Sequence, residues 1–232
     1  MGQISITPGS ARIFSSAAKV LDWLRWADDD YIASRQLLLG DLLVQGAVLS
    51  NTAIEKYFKT ILLIADLPRP KVHDVRALFK RLRAKDIRLN LDEHYLTLLS
   101  RLYNLRYPDE LKAGFSAGID RTRLLTELDF TVFEIRKGFS IRGPHGPIES
   151  TVEELLRQND QRLLEKNCYF GSASRATLFA EPASRYAISV PAPGHLVWAK
   201  YETSGVPDTR NFRVEYRVVL NGVQMNGTLP LE

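Results

Sequence analysis

Apolar residues in the N-terminal part of the chain recur at steps of three, four and seven, which is the spacing of an amphipathic helix. The clearest segment covers about residues 51–66. Its apolar face consists of Ala47, Ile54, Phe58, Ile61, Leu62 and Ala65. Pro68 and Pro70 end this helix, because proline has no backbone N–H and clashes with the preceding turn. Asp74 can cap the next helix with its carboxylate. The pattern therefore predicts two helices joined by a rigid elbow.

Further segments have the same helical period. They cover about residues 19–39, 74–85, 91–105 and 121–139. Amphipathic helices with short connections are typical of an antiparallel bundle. The sequence therefore predicts a bundle of five helices over residues 18–140, with no strand between residues 20 and 138. Residues 1–17 are predicted to be an irregular lead-in.

Residues 142–147 contain two glycines and two prolines, so a linker is predicted at residues 141–147. Ser150 and Glu153 then have the spacing of a capping box, which predicts a helix to about residue 166. Beyond it, apolar residues alternate with polar ones, as in half-buried strands. The strands are predicted over about residues 185–190, 195–201 and 212–220, with weaker ones over 176–179 and 223–229. Asn221 and Gly222 predict a hairpin turn. Residues 148–232 are therefore interpreted as a helix plus a small antiparallel sheet, and the whole chain as α+β.

The composition argues against several classes of protein, including disulfide-rich, membrane-spanning and metal-binding proteins. The chain has 232 residues and a net charge of +4, which permits contact with nucleic acid without requiring it. Its single cysteine excludes an internal disulfide framework, which fits a cytoplasmic location. No apolar run approaches the roughly 20 residues that span a bilayer, so no membrane association is expected. Four scattered histidines and one cysteine have no metal-ligand spacing, and no phosphate-binding glycine loop is present, so neither metal nor cofactor is expected.

Three short motifs occur in a distinctive order. Residues 26–33 form a Trp-Ala-Asp-rich segment, and residues 53–56 read Ala-Ile-Glu-Lys before a His-Asp pair at His73. Residues 106–109 then read Arg-Tyr-Pro-Asp. Over about residues 18–140 this order resembles the HEPN domain family. The resemblance implies a helical bundle that pairs as a homodimer, in a setting such as a prokaryotic defence or toxin–antitoxin system. It leaves the C-terminal part unassigned.

Many HEPN proteins are metal-independent ribonucleases that use an arginine followed, after a short spacer, by a histidine. The histidine takes the 2′-hydroxyl proton and the arginine holds the phosphate. Here Arg106 matches the arginine, but Leu111, Lys112 and Ala113 occupy the histidine positions. The resemblance therefore favours a non-catalytic module that binds a nucleotide, RNA or a partner protein.

The candidate ligand-binding residues are Lys56, Lys59, His73, Arg106, Tyr107 and Asp109. Structural roles are the alternatives: His73 and Asp74 can tie down the elbow, and Arg106 can pair with Asp109. Two other functions remain open. One is a ribonuclease with a displaced motif formed by Arg88 and His94, and the other is a pure protein-interaction scaffold.

Charge and aromatic residues suggest two surfaces. Residues 69–88 are strongly basic, and the candidate nucleic-acid patch consists of Arg76, Lys80, Arg81 and Arg83. Such a helix can neutralise phosphates, although a charge run is also typical of a solvated face. Asp28, Asp29 and Asp30 are likewise interpreted as a solvated face. Four aromatics lie outside the main apolar stripes and are the candidate dimer interface: Trp23, Trp26, Phe130 and Phe133. Alternatively, the C-terminal part of the same chain covers them.

Overall fold

The computed structural model describes residues 4–6, 11–137, 139–143, 146–203, 214–220 and 223–229, and it describes the burial of side chains at residues 18–137 and 148–203. Five helices form the N-terminal part: α1 (Ala11–Leu39), α2 (Leu43–Ile64), α3 (Val75–Arg83), α4 (Glu93–Tyr103) and α5 (Arg121–Arg136). The predicted helices are confirmed. Their starts follow from capping, since the side chains of Asp74, Asp92 and Asp120 accept hydrogen bonds from the first backbone N–H groups of α3, α4 and α5.

The strands are β1 (Ile4–Ile6), β2 (Ser116–Asp120), β3 (Phe139–Gly143), β4 (Gly146–Pro147), β5 (Ala183–Ala192), β6 (His195–Thr203), β7 (Val214–Leu220) and β8 (Val223–Leu229). Antiparallel pairing in the order β2-β5-β6 forms one sheet, and β7 pairs with β8. A third sheet has the order β1-β3-β4. The α+β class is thus confirmed. The predicted turn at residues 221 and 222 lies outside the described residues.

Three local predictions are wrong. A strand, β2, lies inside the range expected to be only helical, because its ladder partner β5 comes from the distant C-terminal part. Residues 1–17 are not wholly irregular, since β1 pairs with β3 and α1 begins at Ala11. Residues 176–179 belong to a short helix, α8 (Arg175–Ala180), whose first turn is capped by Ser174.

Between β4 and α8 the chain forms two further helices, α6 (Thr151–Gln158) and α7 (Gln161–Leu164). The predicted capping box is present, with the Ser150 backbone N–H donating to Glu153 at 2.6 Å. The single predicted helix is divided at Asn159, which has a left-handed φ of 53°. Asparagine tolerates this conformation better than most residues.

One hydrophobic core links the two parts of the chain. It contains helical-bundle residues such as Tyr31, Phe58 and Leu99, together with Val152 of α6 and Ile188 of β5. The linker at residues 141–147 therefore separates segments that pack together, and the boundary itself stays a prediction. Across the described residues, no helix combines the length and the apolar character that crossing a lipid bilayer requires.

Candidate functional site

Four side chains meet where the elbow between α2 and α3 approaches the end of α4: Glu55, His73, Tyr103 and Arg106. We call this group the elbow cluster. His73 Nδ1 lies 3.0 Å from Glu55 Oε2, and the His73 ring stacks on Tyr103 with centroids 5.4 Å apart and an angle of 21° between the planes. Asn51 of α2 donates to the His73 carbonyl at 3.1 Å. The imidazole is thereby positioned, while 61% of its side chain stays exposed.

Arg106 lies in a short 3-10 turn (Asn104–Arg106) directly after α4. Its guanidinium carbon is 4.9 Å from the centre of the Tyr103 ring and 5.5 Å from that of Tyr107, and it donates a hydrogen bond to the Tyr103 hydroxyl. The alternative that Arg106 pairs with Asp109 is not what the structure shows. Within the described residues no carboxylate pairs with Arg106, so most of its N–H donors face solvent.

Electrostatics at Tyr103 follow from its neighbours. Partial burial raises the pKa of the Tyr103 hydroxyl, Arg106 lowers it, and the Glu55 carboxylate raises it again, with a net upward shift. The hydroxyl therefore stays protonated at neutral pH. It acts as an acceptor for Arg106 and a rigid support for both Arg106 and His73.

The two lysines predicted to bind ligand are engaged within the protein. Lys59 Nζ lies 2.7 Å from Glu55 Oε1, with 9% of each side chain exposed. Lys56 Nζ lies 2.7 Å from Asp30 Oδ2. A buried ammonium needs a carboxylate partner, so Lys59 has a structural role. The i,i+4 spacing in the sequence indicates its pairing with Glu55 but not the burial of the pair. Glu55 holds both Lys59 and His73, one on each oxygen.

The predicted basic patch lies along the exposed side of α3, opposite its buried apolar residues. Arg76, Lys80 and Arg81 are exposed, while Arg83 pairs with Glu93. Arg76 follows His73 by only three positions, so the patch begins beside the elbow cluster. Among the described residues, no cluster of three or more His, Cys, Asp and Glu side chains is arranged to hold a metal ion.

The structure does not support the displaced ribonuclease motif of Arg88 and His94. Arg88 pairs with Asp86 at 2.8 Å, and both side chains are largely exposed. His94 lies in the first turn of α4, where its backbone N–H donates to Asp92. No contact between described residues brings Arg88 and His94 together.

Two buried polar clusters escaped the sequence analysis. In the first, Asp28 accepts hydrogen bonds from the Tyr57 hydroxyl at 2.6 Å, from Arg136 at 2.8 Å and from the Val152 N–H at 3.1 Å. Burial raises the pKa of Asp28, and Arg136 opposes this shift. The interpretation of Asp28 as part of a solvated face is therefore wrong. The reason is a salt bridge to a residue far away in the sequence, which a local charge run does not reveal.

In the second buried cluster, Arg35 and Asp129 form an ion pair with 0% and 1% of their side chains exposed. The Tyr31 hydroxyl donates to Asp129 at 2.7 Å. Arg35 also donates to the carbonyls of Arg162 and Glu165, which lie in and directly after α7. Burial raises the pKa of Asp129, and Arg35 lowers it. This cluster fastens the C-terminal part to α1 and α5.

The aromatics predicted at a dimer interface divide into two pairs. Phe130 and Phe133 pack against Tyr169 at 5.4 and 5.7 Å, so the C-terminal part of the same chain covers them. Their assignment to an interface between chains is corrected accordingly. Trp23 and Trp26 lie 6.1 Å apart on α1, and Trp26 is exposed.

Comparison with known proteins adds one finding. Residues 20–127 match the family model of the HEPN domain, and the C-terminal part is not matched. No curated protein and no solved structure matches the chain. The matched range includes every member of the elbow cluster, and it runs from within α1 into α5. Residues 20–127 of this chain are a HEPN domain.

Proposed function

We propose that this HEPN domain binds a phosphate-bearing ligand, a nucleotide or RNA, at the elbow cluster without cleaving it. The observation that carries the proposal is the environment of Arg106. Its guanidinium lies over two tyrosine rings instead of a carboxylate. The planar fork of an arginine matches the oxygens of a phosphate, and a guanidinium already held on aromatic rings loses little side-chain entropy on binding.

The surroundings add positive potential at the same place. Arg76 and Lys80 extend a basic surface along α3, and the exposed His73 ring beside Arg106 on Tyr103 adds a hydrogen-bonding group. Clustered positive charge attracts polyanions and raises their association rate. A single-stranded RNA passing from Arg106 along α3 would meet several cations in succession.

A binding titration with a matched control tests the proposal. The full chain is titrated with a 5′-phosphorylated single-stranded RNA, with inorganic phosphate as competitor. Arg106→Gln should weaken RNA binding by about tenfold or more, because glutamine cannot form the charge-assisted bidentate hydrogen bonds to phosphate. Arg88→Gln is the control, since Arg88 is an exposed arginine outside the cluster. Equal affinity of wild type and Arg106→Gln would overturn the proposal.

A second candidate function follows from the pairing of His73 with Glu55. A carboxylate on Nδ1 fixes the tautomer and leaves Nε2 to accept a proton, as a general base requires. Together with Arg106, His73 would then form a displaced ribonuclease pair in place of the missing histidine at residues 111–113. The first proposal is preferred because Arg106 and His73 contact Tyr103 and not each other.

Incubation with structured and unstructured RNA in EDTA separates the two functions. The binding proposal expects no cleavage. Cleavage that disappears in both His73→Gln and Arg106→Ala would establish the ribonuclease instead. Loss of cleavage in His94→Ala, with His73→Gln still active, would point to the motif of Arg88 and His94.

We also propose that the protein forms a homodimer through α1, with Trp23 and Trp26 in the interface. Exposed aromatics are enriched at such surfaces. Trp26→Glu should convert a dimer into a monomer in light scattering, and a wild-type protein that is monomeric at high micromolar concentration would exclude it. A role in a prokaryotic defence or toxin–antitoxin system, with a partner protein, belongs to the same proposal. A pull-down from the native host that identifies both RNA and protein tests it.

A further inference from the structure

A groove of about 370 Å³ opens beside Tyr107, whose ring also contacts the Arg106 guanidinium. It is lined by Asn104, Tyr107, Glu110, Leu111, Lys112 and Phe115. Two of these residues, Leu111 and Lys112, stand at positions where the ribonucleases of the family have their histidine. In this chain the space is therefore lined by aromatic, apolar and polar side chains rather than by a catalytic imidazole.

The aromatic walls are held in place before any ligand arrives. Phe115 lies under the Arg101 guanidinium at 5.9 Å, and Arg101 is itself fixed by a 2.9 Å hydrogen bond to the Ser116 carbonyl. The Tyr107 backbone is set by two successive turns, because its N–H donates to the Asn104 carbonyl and its own carbonyl accepts from Glu110, and its ring lies against the Arg106 guanidinium. Aromatic surfaces held in this way can stack with a planar base at little entropic cost.

We infer that this groove is a nucleobase subsite, so that the ligand of the elbow cluster is a nucleoside phosphate with its phosphate on Arg106 and its base between Tyr107 and Phe115. The inference rests on the proposed function. Tyr107 connects the two halves of the site, since its ring lies 5.5 Å from the Arg106 guanidinium carbon and also lines the groove.

Charge determines the orientation of the ligand. Glu110 and Lys112 both line the groove, and the Glu110 carboxylate offsets the Lys112 ammonium, so the groove has no net positive charge to hold a phosphate. The Arg106 guanidinium, in contrast, attracts a phosphate. The base is neutral, and its edge can use the polar groups of Asn104, Glu110 and Lys112. The phosphate is therefore placed outside the groove and the base inside it.

The experiment compares ligands that differ only by the base. The full chain is titrated by calorimetry with ribose 5-phosphate and with the four common nucleoside 5′-monophosphates. At least one monophosphate should bind about tenfold or more tightly than ribose 5-phosphate, because stacking on an aromatic side chain favours the base. Tyr107→Ala should remove this difference, and ribose 5-phosphate should lose less affinity than the monophosphates, because Arg106 still rests on the Tyr103 ring.

Two controls make the result specific. Tyr107→Phe keeps the ring and should keep the preference for the nucleotide. Trp198→Ala removes another exposed aromatic, 62% accessible and on β6, and should change no affinity. If all monophosphates bind like ribose 5-phosphate, or if Tyr107→Ala weakens every ligand alike, the inference is overturned while phosphate binding through Arg106 stands. If ribose 5-phosphate and the monophosphates all fail to bind, both proposals are overturned.

Discussion

The buried cluster around Arg35 and the elbow cluster around Arg106 use the same three kinds of side chain in opposite ways. Both contain an arginine, a carboxylate and a tyrosine. In the buried cluster the arginine and the carboxylate pair with each other, with Tyr31 and two backbone carbonyls completing the set. In the elbow cluster the carboxylate pairs with a histidine and a lysine, and the arginine rests on tyrosine rings.

The difference follows from solvation. A charge removed from water must be paired and hydrogen-bonded, or its burial is strongly unfavourable. Each guanidinium nitrogen of Arg35 therefore has an acceptor within the protein, and burial closes the side chain to a ligand. Arg106 remains in contact with water, so it can be held by aromatic rings with its donors free. The candidate site is thus found where an arginine lacks a carboxylate, not where arginines and carboxylates are most concentrated.

The largest expected effect is the difference between the stability losses caused by replacing Arg35 and by replacing Arg106. Arg35→Met should lower the free energy of unfolding by about 3–5 kcal/mol, because Asp129 would be left buried without its partner. Arg106→Met should change the free energy of unfolding by less than about 0.5 kcal/mol, since it is exposed. Urea denaturation followed by circular dichroism measures both. Similar losses in the two variants would contradict the distinction.

The double variant Arg35→Met with Asp129→Leu sharpens the same comparison. It removes both buried charges, so no isolated carboxylate remains. It should recover a large part of the stability lost in Arg35→Met alone. A double variant as unstable as the single one would mean that the bonds from Arg35 to the carbonyls in and after α7 matter more than the ion pair.

The next effect concerns the basic surface that extends from the elbow cluster. Replacing Arg76, Lys80 and Arg83 with glutamate should weaken RNA binding for all sequences alike. The slope of log affinity against log salt should become shallower by about 0.7 for each phosphate of a single strand that the protein no longer neutralises. Titrations between about 50 and 200 mM salt measure the slope. Tyr107→Ala is the control, because it changes affinity without removing a charge. An RNA affinity that does not change with salt concentration would contradict a role for these basic residues in binding.

A smaller effect tests the helix cap beside the site. The Asp74 side chain accepts from the backbone of Arg76 at 2.9 Å and from the Ser100 hydroxyl at 2.7 Å. Asp74→Ala should lower the free energy of unfolding by about 1 kcal/mol, as expected for a lost N-cap. Asp74→Asn is the control and should lose much less. Equal losses in the two variants would show that the negative charge, rather than the hydrogen bonds, stabilises this end of α3.

The smallest effect is a dependence on pH at the edge of the other buried cluster. Burial alone would raise the pKa of Glu153, but Arg136 and hydrogen bonds from Ser150 outweigh it and hold the pKa below its usual value of 4.5. Glu153 therefore stabilises the fold above that value, and the stabilisation is lost as pH falls through the lower pKa of the folded state. Since 43% of the side chain is exposed, the contribution should stay below about 1 kcal/mol.

Glu153→Gln makes this contribution measurable. The variant should be slightly less stable than wild type near neutral pH, and the difference should disappear in acid. Asp28 has the opposite sign, because burial raises its pKa and its contribution weakens as pH rises through the folded value. A difference between wild type and Glu153→Gln that grows in acid would contradict the assignment.

Local patterns in the sequence predicted much of the fold. The periods of the five helices, the cap at Asp74 and the capping box from Ser150 to Glu153 each depend on residues within a few positions of one another. The motif order around Glu55, His73 and Arg106 also indicated the HEPN domain that the family match confirms. The predictions were wrong where a segment's structure depends on a partner that is distant in the sequence. Ser116–Asp120 is a strand because it pairs with β5, and its five residues are too few to show a period of their own.

The sequence by itself determined that the five segments of the bundle are helical, that α3 begins at its Asp74 cap, and which residues are available for phosphate chemistry. Only the tertiary structure decided which of those residues face solvent. Lys59 and Asp28 are polar in the sequence and buried in the fold. Lys59 pairs with Glu55 one helical turn away, whereas Asp28 pairs with the distant Arg136. Arg106 packs on tyrosine rings and does not pair with a carboxylate of the described residues. Burial is a property of the assembled core, since segments far apart in the chain pack together to exclude water from each side chain.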